Sequence, residues 1–273
     1  MPEGDTIFRT AQALQRALAG RVVTRFDSVY PPIIRVAEDH PVAGRTVEAV
    51  RARGKHLLIT FSGDLTLHTH MRMNGSWHIY RPGERWQRSS RDMRVLVGTD
   101  AFVAVGFNVP VVELLSGRDL ARHEQLRALG PDLLDPEFDA SEVVGRLRDH
   151  RADSIGDALL NQRVMAGIGN VLKSEILFVA RIDPFRPIQS LSDDGLTHIV
   201  GVARELMHAN VLGRMRTLSP ATGRRTTRSL DPNAKLWVYG RDRRPCRRCG
   251  ALIQSRKTGM DARLTYWCPR CQI

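Results

Sequence analysis

The first residues of the chain could supply an amine nucleophile with a proton donor beside it. The sequence begins Met1-Pro2-Glu3-Gly4-Asp5-Thr6, and removal of Met1 would leave Pro2 as a secondary amine at the terminus. A free α-amino group has a pKa of about 7.7–8.0, so it is partly unprotonated at neutral pH and can attack a carbonyl carbon. Glu3 could then move protons at the same carbon. Because Met-Pro also starts many proteins without any such role, these residues alone favour an ordinary start.

Four cysteines at the other end of the chain have the spacing of a metal site. They are all the cysteines of the sequence and follow the pattern Cys246-x2-Cys249-x18-Cys268-x2-Cys271. Two thiolate pairs on short turns match a tetrahedral zinc ion with a closed, structural ligand shell. Two disulfides are the alternative, which a cytoplasmic location disfavours. The pattern predicts one structural zinc ion that folds a β-hairpin and does not catalyse.

A stretch of histidines and methionines, His68-Thr69-His70-Met71-Arg72-Met73-Asn74-Gly75, lies between β-rich runs. His68 and His70 would share one face of a strand, but the sequence shows no third ligand or nearby carboxylate, so we predict structural roles for both. Asn74-Gly75 predicts a tight turn. Methionines are core residues by default, yet Met73 beside this turn could be an exposed apolar wedge.

A glycine turn, Gly167-Ile168-Gly169-Asn170, precedes a helical pattern. Backbone N–H groups and the positive end of the helix dipole at such a turn suit a phosphate, although the signal is weak by itself. Lys55, which follows Arg53-Gly54 before a strand, is likewise an ordinary surface lysine when read alone.

Hydrophobic periodicity assigns these residues to successive elements. Apolar residues at helical spacing predict a helix over 5–19, which would hold Pro2 in place. Seven β-rich runs then predict a β-sandwich or barrel: Val22–Phe26, Val47–Val50, His56–Phe61, Thr66–His70, Trp77–Tyr80, Met93–Val97 and Ala101–Phe107. Helices follow at about 140–149, 154–161, 170–181 and 192–212, with candidate N-caps at Asp139, Ser154, Asn170 and Ser192.

The corresponding domains are a β-rich module at 1–118, a linker at 119–135, a helical module at 136–234 and a zinc finger at 236–273. Residues at about 213–235 are rich in arginine with few apolar anchors, so we expect a mobile loop there.

The net charge of +12 over 273 residues indicates a polyanionic partner. Residues 213–273 carry fifteen Arg or Lys against three Asp, which leaves residues 1–212 formally neutral. Nucleic acid is favoured over a membrane, because no amphipathic apolar stripe accompanies the charge and aromatic residues lie among the arginines. The sequence has neither an apolar run of about 18 residues nor a signal peptide, so we expect a cytoplasmic, nucleoid-associated protein.

Taken in order, these parts resemble the Fpg/Nei family of DNA glycosylases. The resemblance runs the length of the chain and rests on five motifs: Met1-Pro2-Glu3-Gly4, Arg53-Gly54-Lys55, the stretch from Leu160-Asn161-Gln162 to Gly167-Ile168-Gly169-Asn170, Trp237-Val238-Tyr239-Gly240-Arg241, and Arg263-Leu264-Thr265-Tyr266-Trp267-Cys268-Pro269-x-Cys271-Gln272. It implies an α+β multidomain fold: an N-terminal helix with a β-sandwich, a helix-two-turns-helix module and a C-terminal zinc-ribbon β-hairpin.

The resemblance also implies a function in base excision repair. The protein would be a bifunctional enzyme, acting as a monomer on damaged duplex, bubble or single-stranded DNA, that removes oxidised bases and then cuts the strand at the abasic site. On this interpretation Pro2 forms a Schiff base with the sugar and Glu3 moves protons. Lys55 would contact a phosphate and assist β-elimination, and Arg263 would bind phosphate and assist δ-elimination. Asn170 would grip a phosphate, and the turn Arg72-Met73-Asn74 would fill the space left by the extruded base.

Departures from the family pattern refine this expectation. The formamidopyrimidine-type enzymes carry an Asp-Pro-Arg-Arg-Phe-like segment where this chain has 105–110, and Glu3-Gly4 with Arg53-Gly54-Lys55 is closer to endonuclease VIII. We therefore expect oxidised pyrimidines as favoured substrates. Asp5-Thr6 replaces a Pro-Glu pair, so a second acid is shifted or missing. The main alternative is a non-catalytic reader of damaged or single-stranded DNA that retains Met1, and a more distant one is a zinc-ribbon RNA-binding protein.

Overall fold

In the computed structural model, helix α1 (Gly4–Leu18) begins directly after Glu3. The backbone carbonyl of Glu3 accepts the N–H groups of Thr6 and Ile7 at 2.8 and 3.0 Å, so the first turn of the helix fixes the residue that follows Pro2. Ile7, Leu14 and Leu18 are buried on one face of α1, as their spacing predicts.

The structure describes residues 2–150, 153–212, 224–259 and 262–273, and the chain divides into two units, Met1–Ala128 and Leu129–Ile273. Met1 and residues 213–223 of the predicted mobile loop lie outside the described residues. Residues 224–235 form no helix or strand. Among the described residues, no helix is both long enough and apolar enough to cross a membrane.

The first unit contains eight strands in two four-stranded antiparallel sheets. One sheet has the order β1-β6-β7-β5 and the other β2-β3-β4-β8. The strands are β1 Val23–Ser28, β2 Val47–Arg53, β3 His56–Phe61, β4 Leu65–His70, β5 Ser76–Tyr80, β6 Met93–Thr99, β7 Val103–Phe107 and β8 Val111–Ser116. Buried side chains from both sheets and from α1 form one core, which confirms the predicted helix and β-sandwich.

Three helices and one strand of this unit were not predicted. Helix α2 (Pro31–Asp39) starts with two prolines, which suit the first turn of a helix because it has no use for their missing N–H groups. Strand β8 pairs with β4, and helices α3 (Gly117–Arg122) and α4 (Glu124–Arg127) follow it. Both helices lie mostly within the predicted linker at 119–135, and the domain boundaries themselves stay predictions.

The described residues of the second unit form four α-helices and a hairpin: α5 Ala140–Asp149, α6 Ile155–Ala158, α7 Asn170–Ala180, α8 Asp193–Leu212, β9 Gln254–Thr258 and β10 Arg263–Trp267. All four predicted helices and the predicted hairpin are confirmed. Asp139 and Ser154 cap α5 and α6 as predicted, through N–H groups two and three residues on. Asn170 is not a cap, because Gly169 is the N-cap of α7 and Asn170 is its first residue.

Candidate active site and zinc centre

The amino-terminal site combines a partly exposed proline with two buried carboxylates. Glu3, next to Pro2, is 0% exposed. Asp5 is also fully buried, and its Oδ1 accepts the backbone N–H of Thr6 at 2.8 Å. A carboxylate in the first turn of α1 is stabilised by the helix dipole. Asp5 is thus a second buried acid one residue after Gly4, and whether it replaces the second acid of the family pattern stays a prediction.

Lys55 lies in a two-residue turn that joins β2 to β3. Arg53 pairs with His56 across the turn, and Gly54 has a φ of +58°. Glycine with positive φ at the first central position is what a type II′ hairpin turn requires, since a side chain there would be strained. The turn holds the backbone of Lys55 at the end of a sheet, where its side chain is partly buried.

His68 has the carboxylate neighbour that the sequence did not reveal. His68 Nδ1 lies 2.7 Å from Glu113 Oε2 on β8, and His123 Nε2 lies 3.0 Å from the same oxygen. On its other side, His68 Nε2 lies 2.8 Å from His56 Nδ1. We call these four residues the histidine network. The expectation that no third ligand or carboxylate lies near His68 is wrong, because β8 and the chain after α3 bring both to it.

The hydrogen bonds of the network close with neutral histidines. His123 Nδ1 accepts the N–H of Leu126 at 3.3 Å, so its proton is on Nε2 and goes to Glu113. Glu113 also accepts from His68 Nδ1–H, which leaves His68 Nε2 to accept from His56. Burial lowers the pKa of His68 and lowers that of His56 to about 3. A metal ion here would have to displace two protons that already have an acceptor, so we assign the network a structural role.

The turn between β4 and β5 presents Met73 to solvent. Met73 is 58% exposed, whereas Met71 is 2% exposed and packs in the core. The N–H of Gly75 donates to Met71 O at 2.9 Å and closes the predicted turn. A cavity of about 470 Å³ opens beside it, lined by Tyr30, Arg72, Met73, Asn74, Arg94, Asn108 and Pro110. Exposure agrees with a wedge, and that role stays a prediction.

The segment 105–110 borders this cavity without adding an exposed aromatic residue. Phe107 is fully buried at the end of β7, and Asn108 turns the chain with a φ of +49°. Met73 is therefore the exposed large apolar side chain at this cavity.

The four cysteines meet at one end of the hairpin of the second unit. The Sγ atoms of Cys249 and Cys268 lie 3.4 Å apart, those of Cys246 and Cys271 lie 3.9 Å apart, and all four lie within 4.8 Å of one another. Tetrahedral zinc with Zn–S bonds of about 2.3 Å separates its sulfurs by about 3.8 Å. The thiols are not paired in disulfides. They fit one structural zinc ion, as the spacing predicts.

In the second unit, Asn170 contacts the residue that follows Arg263. Asn170 Nδ2 donates to the backbone carbonyl of Leu264 at 2.7 Å, and Arg263 is the exposed residue just before it at the start of β10. Asn170 is 5% exposed, and its Oδ1 has no partner among the described residues. One amide hydrogen of Asn170 is committed to the hairpin, so a phosphate could use only the other.

Two buried charged residues of α7 were missed in the sequence. Glu175 is fully buried, and its carboxylate accepts the N–H groups of Trp237, Val238 and Tyr239 at 2.8 to 2.9 Å. It thereby fixes the aromatic motif 237–241. Lys173 is fully buried as well. Two charged residues within an otherwise largely apolar helix are the signal that could have found both.

A helix directly after Pro2-Glu3, two stacked sheets, a glycine turn between helices and a four-cysteine hairpin together define the architecture of the formamidopyrimidine-DNA glycosylases. Family models agree along the chain. The N-terminal domain of formamidopyrimidine-DNA glycosylase matches residues 1–108, its H2TH domain matches 129–219, and the zinc finger found in FPG and IleRS matches 244–273. The chain belongs to the Fpg/Nei family.

Curated relatives match over the whole chain. A probable endonuclease 8 2 of Streptomyces coelicolor is 42% identical over 100% of this chain and 94% of its own length. DNA-(apurinic or apyrimidinic site) lyase Nei2 of Mycolicibacterium smegmatis is 38% identical over 100% of this chain and 99% of its own.

Solved structures share the fold at lower sequence identity. MutM in complex with DNA containing carbocyclic 8-oxo-G has a TM-score of 0.82 at 24% identity, with 100% of both chains covered. Lactococcus lactis Fpg in complex with DNA containing an oxidised pyrimidine has a TM-score of 0.83 at 22% identity, with 99% of both chains covered.

Proposed function

We propose that this protein is a bifunctional DNA glycosylase of base excision repair, which removes oxidised bases and cleaves the strand at the resulting abasic site. The observation that carries the proposal is the amino terminus, where Pro2 lies directly before a buried carboxylate, Glu3, and the first turn of α1. Membership of the Fpg/Nei family supports it, as do relatives named endonuclease 8 and abasic-site lyase.

The chemistry begins at the amine of Pro2 once Met1 is removed. The nitrogen attacks C1′ of the damaged nucleotide, the N-glycosidic bond breaks, and the base leaves with a proton. The sugar ring opens to an iminium, which acidifies the C2′ proton. Loss of that proton breaks the C3′–O bond in β-elimination, and a second elimination breaks the C5′–O bond. The strand is left with a gap and phosphate ends, and water releases Pro2 by hydrolysis of the iminium.

Glu3 is the residue we assign to proton transfer at the sugar. A carboxylate withdrawn from water and held beside the nucleophile can donate and accept protons at the reacting atoms, a contribution of roughly 10²–10⁴-fold in rate. Lys55 and Arg263 carry positive charge to backbone phosphates and assist β- and δ-elimination, respectively. Asn170 grips a phosphate at the start of α7, where the helix dipole favours an anion.

The zinc ion belongs to the fold of the hairpin and not to the reaction. Four thiolates would leave no open position for water or substrate, so a bound zinc ion would supply structure alone. Cys246, Cys249, Cys268 and Cys271 would hold it and keep β9 and β10 in place.

We favour oxidised pyrimidines over 8-oxoguanine as substrates. In the described structure the segment 105–110 buries Phe107, so this chain offers Met73 where the formamidopyrimidine branch is expected to offer further wedge residues. Relatives named endonuclease 8 support the endonuclease VIII branch instead. We place the enzyme in the cytoplasm with the nucleoid, and we expect it to act as a monomer.

Borohydride trapping tests the proposal. Protein with an authentic Pro2 terminus, confirmed by mass spectrometry, is mixed with oligonucleotides that contain thymine glycol or an abasic site, and borohydride is added during the reaction. We expect a covalent protein–DNA adduct with both substrates. Protein that carries an extra residue before Pro2 is the matched control and should give none. Glu3→Gln should lose the adduct with thymine glycol and retain much of that with the abasic site, because only the first requires base removal.

Absence of an adduct from the zinc-loaded, correctly processed protein would rule out the lyase and leave the non-catalytic reader of damaged DNA. A panel of oxidised purines and pyrimidines in the same assay would rank the lesions.

A further inference from the structure

Lys173 is a buried cation that the reaction described above does not use. It lies one turn after Asn170 on α7 and is 0% exposed. Its Nζ donates to Thr265 Oγ1 on β10 at 2.6 Å. Burying a lysine is costly, and an apolar side chain of similar length usually fills such a space at least as well. The position of Lys173 is therefore better explained by its hydrogen bond to β10 than by a gain in the stability of the fold.

The contact of Lys173 extends through the hairpin. Thr265 Oγ1 lies 2.7 Å from Thr258 Oγ1, and Thr258 is the residue that pairs with Arg263 in the hairpin. An ammonium group can only donate, so the Thr265 hydroxyl accepts from Lys173, and the same hydroxyl shares a second hydrogen bond with Thr258. The hydrogen bonds thus connect α7, through Thr265 on β10, to Thr258, the residue opposite Arg263.

Asn170 and Lys173 hold consecutive residues of β10. Asn170 binds the backbone carbonyl of Leu264, and Lys173 binds the side chain of Thr265. Residues three apart on a helix share one face, so a single face of α7 grips the strand directly after Arg263. Arg263 is exposed, and the two residues that follow it in β10 are held in place by α7.

We propose that Lys173 is a positioning residue for Arg263 in the second, δ-elimination step. This inference rests on the proposed function. Lys173 acts through Thr265 and Thr258 on the start of β10 and does not touch the DNA. Loosening that strand moves Arg263 away from the phosphate and leaves the amine of Pro2 and its first elimination step intact.

The experiment measures the ratio of δ- to β-elimination products from an end-labelled abasic oligonucleotide. Thr265→Val keeps the shape of the side chain and removes the acceptor of Lys173. We expect it to lower the ratio about tenfold, the size expected for loss of one hydrogen bond to a charged donor. Borohydride trapping should stay near that of the unmodified protein. Thr265→Ser restores the hydroxyl and should restore the ratio.

Lys173→Met should give the same shift, and Arg263→Gln sets the limit of pure β-elimination. Thr24→Val, the same substitution at an exposed position of β1, is the matched control and should not change the ratio. Circular dichroism and zinc content establish that each variant is folded, and Thr265→Val carries the test if Lys173→Met does not fold.

An unchanged ratio in folded Thr265→Val would overturn the inference, as would an equal fall in both products, which would indicate general loss of structure. If the unmodified protein gave β,δ product and the variant did too, only this inference would fail. If the unmodified protein gave no adduct and no cleavage, the proposed function would fail with it.

Discussion

Met71 and Met73 are two residues apart and have opposite surroundings. The first is packed in the core of the two sheets, and the second stands in solvent beside the cavity. An exposed methionine at a turn can enter a base stack, because its side chain is long, flexible and apolar. The two methionines therefore allow a test. A substitution of Met73 should affect excision from duplex DNA, and one of Met71 should affect the stability of the fold.

Met73→Ala should impair excision from duplex DNA more than from single strands. Extruding a base from a duplex costs a few kcal/mol of stacking and pairing energy. Without Met73 to fill the space left by the base, less of that cost is offset. We expect about a tenfold loss of excision rate on a duplex lesion and little loss on the same lesion in a single strand, measured under single-turnover conditions.

Met71→Ala is the control, and it should lower the free energy of unfolding by roughly 2–5 kcal/mol through the cavity it creates. Equal losses on duplex and single strand after Met73→Ala would contradict the role as wedge.

The histidine network operates at the scale of the sheet, because it joins β3, β4 and β8 beside Lys55. An unfolded histidine has a pKa of about 6.5, whereas burial lowers the pKa of His56 to about 3 in the fold. Between these values the unfolded chain binds a proton that the folded chain does not, so stability falls as the pH falls below about 6.5. Burial also lowers the pKa of His70, to about 4, which adds in the same direction.

We therefore predict that acid destabilises the first unit well above the pKa of its carboxyl groups. His56 alone should cost ~2 kcal/mol of unfolding free energy at pH 5 relative to pH 7.5. Urea unfolding at both pH values measures this difference. His40→Asn, at an exposed site, should leave it unchanged, and His56→Asn should reduce it. Identical unfolding midpoints at the two pH values would show that the histidines are not held neutral.

The hairpin depends on its metal, because its own core is small. In the part of the chain that the structure describes, its buried cluster consists of Phe178, Val238, Cys246, Ile253 and Cys268. We predict about one zinc per chain by elemental analysis, and Cys249→Ser should unfold the hairpin and abolish DNA binding while the first unit stays folded. His68→Ala should not lower the zinc content, since the histidine network closes without a metal. Intact DNA binding by metal-free protein would contradict the structural role of the ion.

Elements with a local signal could be predicted from the sequence, and those that depend on distant partners could not. The cysteine spacing, the apolar stripe of α1 and the caps at Asp139 and Ser154 are all readable within about twenty residues. Val112 and Leu114 alternate as strand residues should, but the pairing of β8 with β4 joins positions 41 to 51 residues apart. The sequence therefore could not show that Glu113, which lies between these two residues, is the hydrogen-bond partner of His68.

The same limit applies to α7, whose sequence reads as an apolar helix with four polar residues, Asn170, Lys173, Ser174 and Glu175. Glu175 binds backbone at 237–239, and Lys173 binds Thr265, partners that lie 62 to 92 positions later in the chain. Local patterns give the helix, but only the fold shows that its polar residues face inward and hold two other segments. The predicted site residues Pro2, Lys55, Asn170 and Arg263 came from the family resemblance, because none has a decisive local signal.

Charge is distributed unevenly over the whole molecule. Residues 213–273 carry the entire excess, and residues 1–212 are formally neutral. Binding to DNA by phosphate contacts releases counterions, so its salt dependence counts the cations that take part. We call residues 213–273 the basic quarter. If it supplies most of the sequence-independent affinity, the slope of log K against log salt should change when arginines there are replaced, and not when arginines elsewhere are replaced.

Arg244→Gln and Arg270→Gln, both at exposed positions of the basic quarter, test this prediction. Each should lower the slope of log K against log salt by about 1 and weaken binding to all sequences alike. Arg25→Gln is the matched control, because Arg25 is exposed in the neutral part and already pairs with Asp27 at 2.6 Å. Titration of an undamaged duplex at several salt concentrations, followed by fluorescence anisotropy, measures the slopes. A loss of slope in Arg25→Gln as large as in the other two variants would mean that DNA contacts are spread over the whole chain. The charge asymmetry of the sequence would then not indicate where the phosphate backbone of the DNA binds.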